Sequence, residues 1–176
     1  YPYDLVNFDY TGGFIYKELG DSSKRIDSIK KLFNEQAKHK KSFILLLTCT
    51  LENDIDSEYN NLIINISNHF EDATKNEFIK KYNTKNRTEK IKILIHFFIR
   101  NIAKEYFNCE IYKPISYVGN GNTKMFNFSF RLEYIDAYVS EKINVSDKKI
   151  LEFPYFICEN GDIKTVLPET INNLLL

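Results

Sequence analysis

The sequence has no tryptophan, one methionine, three cysteines, four prolines and six glycines among 176 residues. The cysteines, Cys49, Cys109 and Cys158, are odd in number and far apart, with no Cys-x-x-Cys pair. That pattern excludes a disulfide framework and a paired-thiolate metal or redox motif, and it fits a reducing, cytoplasmic compartment. Net charge is also missing: 24 Lys and Arg stand against 24 Asp and Glu. No overall basic field is there to hold a phosphate backbone or an anionic membrane leaflet. The longest apolar runs, Phe43 to Leu47 and Ile93 to Ile99, fall far short of the roughly 18 to 20 residues a membrane span requires. Tyr1-Pro2-Tyr3-Asp4 leads straight into a strand-like run, with no charged and apolar regions of a secretory signal, and reads as a chain that starts mid-protein.

What is present is ordinary for a globular domain: 43% hydrophobic, 27% charged and 15% aromatic residues, including 14 Phe and 12 Tyr. At about 150 residues per domain, the length predicts one main core. Abundant Asn, Lys, Ile, Tyr and Phe is what an AT-rich coding sequence yields. The Asn-x-Ser/Thr acceptors at Asn65, Asn86, Asn127 and Asn144 follow from that bias and need no glycan.

Leu5 to Phe8 reads as a short strand ending in a loop, Asp9-Tyr10-Thr11-Gly12-Gly13. Ser22 or Ser23 can cap a helix running to about His39, with Ile26, Ile29, Phe33 and Ala37 at helical spacing. Ser42 to Thr50 is continuously apolar, which predicts a central strand covered on both faces. A second helix is expected from about Ser57 through Phe70, and a short helix and loop within 72–87. A long, largely buried helix should follow from Thr88 through Tyr106. Cys109 to Val118 and Met125 to Ile135 flank Gly119-Asn120-Gly121-Asn122 and predict a hairpin, with Pro114 marking a bulge or an edge in its first strand. Lys149 to Cys158 and Ile163 to Leu167 predict another hairpin around Asn160-Gly161, before a tail helix from Pro168.

The order strand, acidic and glycine-bearing loop, helix, buried strand, helices, hairpin resembles the C-terminal half of a class I S-adenosylmethionine-dependent methyltransferase. In that resemblance Asp4 to Tyr10 stands as the fourth strand and its tip, Phe43 to Thr48 as the fifth, and the hairpin from Cys109 to Ile135 as the sixth and seventh, the last inserting antiparallel. Thr11, Gly12 and Gly13 stand where the family carries Pro-Pro-aromatic, and no glycine-rich first loop precedes Tyr1. The resemblance implies an α/β fold with a mixed, mainly parallel sheet, flanking helices and a C-terminal antiparallel hairpin. Residues 1–140 would form this Rossmann-like half and 141–176 an appended hairpin and tail. It also implies in-line transfer of a methyl group from a sulfonium to a nucleophilic N, O or C, with S-adenosylmethionine bound only by a longer or complemented protein. The other reading is a non-catalytic module that pairs with another polypeptide through the exposed edge of its first strand.

Asp9 and Tyr10 are the candidate catalytic pair, because an open α/β sheet places ligands beyond the carboxyl ends of its parallel strands. The carboxylate would position an acceptor or take its proton, and the ring would stack on it; a capped turn with a packed tyrosine explains the same residues. Thr11, Gly12, Gly13, Glu52 and Asn53 are candidate substrate-binding residues, and Glu52 and Asn53 serve equally as turn residues. His39, His69 and His96 lack metal-ligand spacing, so no metal is expected, and the cysteines have no neighbouring base. Phe126, Phe128 and Phe130 alternate as one face of a sheet core; base stacking is the rival explanation.

Overall fold

The computed structural model describes residues 2–10, 12–14, 23–50, 61, 63–64, 72–118, 123–136, 154–159 and 162–166. Helix α1 (Ser23–Lys38) forms where Ile29, Phe33 and Ala37 make a buried stripe. It stops in a Schellman turn: the Lys41 amide donates to the Gln36 carbonyl at 2.9 Å and the Lys40 amide to Ala37 at 2.9 Å, with Lys40 at φ 51°. That reversal delivers the chain into strand β2 (Phe43–Thr50), which lies parallel to β1 (Leu5–Asp9) with Leu5 opposite Ile44 and Asp9 opposite Thr48.

Asn61, Ile63 and Ile64 are helical where the second helix was expected. Residues 72–87, expected to hold only a short helix, carry the 13-residue α2 (Asp72–Thr84). Helix α3 (Arg87–Ala103) begins at a capping box that the sequence reading passed over. The Asn86 side chain accepts from the Glu89 amide at 3.0 Å, and the Asn86 amide donates back to the Glu89 carboxylate at 3.3 Å. Every residue from 91 to 99 is buried.

The remaining strands are β3 (Phe107–Ile111), β4 (Ile115–Val118), β5 (Lys124–Tyr134), β6 (Tyr155–Glu159) and β7 (Asp162–Val166). They complete an open sheet in the order β1-β2-β5-β4-β6-β7, with β3 also paired to β5. The eleven residues of β5 pair with β2 along one side and with β4 and then β3 along the other. The predicted strand from Cys109 to Val118 is therefore two strands. Pro114 has no amide to donate to a ladder, and it sits in a one-residue offset of the kind a bulge makes: Ile111 pairs with Phe130 and Ile115 with Asn127, so residues 112–114 face only 128 and 129, while the Tyr112 amide still donates to Ser129 at 3.1 Å. The Pro114 carbonyl accepts from Phe156 at 2.9 Å as β6 joins β4.

Two further expectations are corrected. The sheet is mixed, not mainly parallel: only β1 with β2 and β4 with β6 run parallel, and the other pairings are antiparallel. Nor is β2 covered on both faces. Phe43, Leu45, Leu47 and Cys49 are buried on one side, while the other is covered only in part: Ile44 is 41% exposed, Leu46 is half-buried and Thr48 is buried. The described helices pack on the first side. The Phe33 ring of α1 lies 5.5 Å from Phe43 and 5.6 Å from Phe107, His96 of α3 lies 5.4 Å from Phe128, and Phe78 of α2 lies 4.9 Å from Phe97 of α3. Phe126, Phe128 and Phe130 are fully buried on this face, as core packing requires. The tail helix expected from Pro168 and the turns at Gly119 to Asn122 and Asn160-Gly161 lie outside the described residues.

Candidate functional site

β1 ends at Asp9, but its ladder continues: the Tyr10 amide donates to Thr48 at 2.9 Å, and the Thr50 amide donates to the Gly12 carbonyl at 3.1 Å. The loop after β1 is thus stitched to the end of β2, and buried Phe14 anchors it against Phe98 at 5.3 Å between ring centroids. Gly13 is buried, and its carbonyl accepts from the Arg25 guanidinium.

Consecutive residues of a strand point to opposite faces, and that separates the two candidate catalytic residues. Asp9 is exposed on the open face of the sheet. Tyr10 lies on the helix-covered face, its ring stacked on Phe8 at 5.7 Å and 11° and overlain by the Arg25 guanidinium at 4.6 Å. Desolvation pushes the Tyr10 hydroxyl above its usual range, with Arg25 opposing the shift. Tyr10 is therefore a packing residue under the loop, and an acceptor held by Asp9 does not stack on it.

Asp9 has other company. Register aligns Asp9, Thr48 and Asn127 across three adjacent strands, and the Asn127 amide donates to the Thr48 hydroxyl at 2.9 Å. Thr48 is buried, and the group this bond leaves at the half-buried Asn127 is its side-chain carbonyl. Tyr117 of β4, one two-residue step along the same face, has its hydroxyl raised first by burial and then by the Asp9 and Cys49 charges, so it stands within electrostatic reach of Asp9. The rim thus presents the exposed Asp9 carboxylate with the half-buried Asn127 amide and Tyr117 hydroxyl, a set suited to a neutral or cationic group bearing N–H or O–H.

Sequence reasoning missed Thr48, Asn127, Tyr117 and Arg25. Thr48 was absorbed into an apolar run and Asn127 into a chance glycosylation triplet; only the register of β1, β2 and β5 brings them beside Asp9. Asn127 sits mid-strand and engaged, and Asn86 is consumed by the α3 cap, so neither resembles a free acceptor loop. Thr11, Glu52, Asn53, Asn65, Asn144 and His69 lie outside the described residues.

Among the described residues no group of His, Cys, Asp and Glu is placed to hold a metal ion, and no helix is long and apolar enough to cross a membrane. Cys49, Cys109 and Cys158 form no disulfide with one another, and burial pushes the Cys109 thiol up to about 12, far from a reactive thiolate. His39 is exposed, while His96 is fully buried between Phe128 and Phe130. A groove of about 500 Å³ lined by Lys31, Glu35, Lys38, Tyr106 and Tyr134 lies at the opposite end of the strands from Asp9. No protein-family model, no curated protein and no solved structure matches this chain.

Proposed function

We propose that the chain is the acceptor-side half of a class I S-adenosylmethionine-dependent methyltransferase-like domain, with Asp9 at its working rim. One observation supports this reading above the others. The long strand β5 inserts antiparallel between β2 and the β3–β4 line, beyond a parallel β1–β2 pair joined through α1. This is the strand order the sequence resemblance implies. The exposed Asp9 carboxylate and the half-buried Asn127 side chain, the latter fixed by its bond to buried Thr48, supply acceptors for a methyl-accepting group that carries N–H or O–H.

The cofactor itself has no cradle among the described residues. Gly12 and Gly13 are tied to Thr50 and Arg25 instead of opening a helix N-terminus. No step through the cofactor is assigned to this chain, whose contribution is to hold and orient the acceptor. Calorimetric titration of the chain and of its full gene product with S-adenosylmethionine and S-adenosylhomocysteine tests the reading. Binding by the full product, with Asp9→Asn lowering methyl transfer while leaving cofactor binding intact, is the expected result. Absence of binding by both refutes it.

A second reading, a non-catalytic module that pairs with a polypeptide, is favoured by the edge of the sheet. β1 has a partner on one side only among the described residues, and Leu5 on it is 54% exposed.

A further inference from the structure

The Ile44 amide donates to the Asp4 carbonyl and the Tyr10 amide to the Thr48 carbonyl, both on the β2 side. In a parallel ladder the even-numbered residues of β1 therefore face β2, and Leu5, Asn7 and Asp9 turn amide and carbonyl to the free edge. The edge is closed just before Leu5. The buried Gln36 side chain of α1 takes both main-chain groups of Tyr3, accepting from its amide at 2.9 Å and donating to its carbonyl at 2.6 Å. Within β1, the exposed Leu5, Asn7 and Asp9 have no strand beside them on this edge among the described residues.

We propose that two copies of this chain join through this edge, antiparallel, in a register centred on Asn7. This rests on the edge-binding reading and names its partner. Only that register pairs all three open residues at once, with Leu5 opposite the other copy's Asp9 and Asn7 opposite Asn7; sliding toward the start of the chain runs into Tyr3, already held by Gln36. The side chains agree with it. On the helix-covered face the partly buried Val6 and Phe8 come opposite each other, an aliphatic and aromatic pair of the kind that stabilises antiparallel strands. Asp4, its side chain 88% exposed and already paired with Lys41 at 2.6 Å, comes opposite Tyr10, whose ring carries the Arg25 guanidinium, so neither end of the joint sets like charges together. On the open face Leu5 faces Asp9, and no two carboxylates oppose each other directly. The two-fold axis lies perpendicular to the sheet, so the open faces of both copies stay on one side and form one continuous surface.

Sedimentation over a concentration series tests the pairing. A reversible dimer is expected, together with slowed hydrogen exchange at the Leu5, Asn7 and Asp9 amides. Asn7→Lys sets like charges across the axis without touching the β2 ladder, and it should raise the dimer dissociation constant at least about tenfold. Asn7→Cys should link two copies through an interchain disulfide under mild oxidation, and Leu5→Cys, facing Asp9, should not. A dimer indifferent to Asn7→Lys overturns the proposal, as does a chain that stays monomeric. In a monomer, fast exchange at the three amides leaves the edge open for a different polypeptide and refutes self-pairing alone; slow exchange refutes the edge reading with it.

Discussion

Acidification should unfold this domain through one residue. His96 is fully buried on α3, its ring edge-on to Phe128 at 5.4 Å and to Phe130 at 5.9 Å, and burial, aided by the charge of Lys92, pushes it down to about 3. The unfolded chain accepts a proton near the ordinary value of 6.5, which the native state refuses. Native stability is therefore complete above pH 6.5 and falls as the pH drops toward 3, at about 1.4 kcal/mol per pH unit and about 5 kcal/mol in all. Typical domains hold about 5 to 15 kcal/mol, so most or all of the margin goes. Urea titrations followed by far-ultraviolet circular dichroism from pH 8 to 4 measure this directly. His96→Leu should change stability at pH 8 by less than about 1.5 kcal/mol and flatten the slope below pH 6.5. Glu35, held below its usual range by Lys38, also loses stability in acid, but it is exposed on the surface and equally present in both proteins, so the difference isolates His96. Parallel profiles for the two proteins would refute a neutral, desolvated histidine.

Three further substitutions probe the core and the turns. Lys92 is fully buried against the Tyr155 ring and pushed down to about 8 by desolvation, so Lys92→Met should add up to about 3 kcal/mol at pH 7, an advantage that shrinks as pH rises from 8 to 10.5. Denaturation at pH 7 and 10 reads it, and an advantage of equal size at both would contradict the assignment. Phe128→Ala empties the centre of the covered face and should cost about 3 to 5 kcal/mol by urea unfolding; a loss below about 1 kcal/mol would mean that the face is not packed as described. Lys40→Gly relieves a left-handed residue in the Schellman turn and should stabilise by about 1 kcal/mol in thermal melts, because the exposed Lys40–Asp136 pair at 3.2 Å contributes little. A clear loss of stability would show that pair to matter more than the backbone.

Elements whose signal is local were legible. The stripe Ile29, Phe33, Ala37 and the alternation from Phe126 to Leu132 each record burial in their own spacing, and both occur as read. Signals that need a partner were not. Pro114 inside an apolar run could bulge or lie at an edge, and only the offset between β3 and β4 along β5 shows the bulge; the Asn86–Glu89 capping box, its partners three residues apart, was legible and overlooked. At the candidate site Asp9 was legible as an acid at a strand end. Thr48 and Asn127 were not, because they are 79 residues apart and meet only through the pairing of β2 with β5.

The sequence by itself determined, among the described residues, the order of helices and strands and the apolar residues of the covered face, since periodicity and apolar volume act within a few residues of each other. Tertiary structure decided orientation and exposure. An apolar run such as Phe43 to Thr50 states that a strand is buried but not on which sides, and helices α1 and α3 both pack on one face, leaving Ile44 open. Two neighbouring residues, Asp9 and Tyr10, were one site on paper and became two environments once a strand placed them back to back. Which strand lies beside which depends on long-range pairing, and that pairing brought Thr48 and Asn127 into line with Asp9 and left Leu5, Asn7 and Asp9 at an edge without a described neighbour.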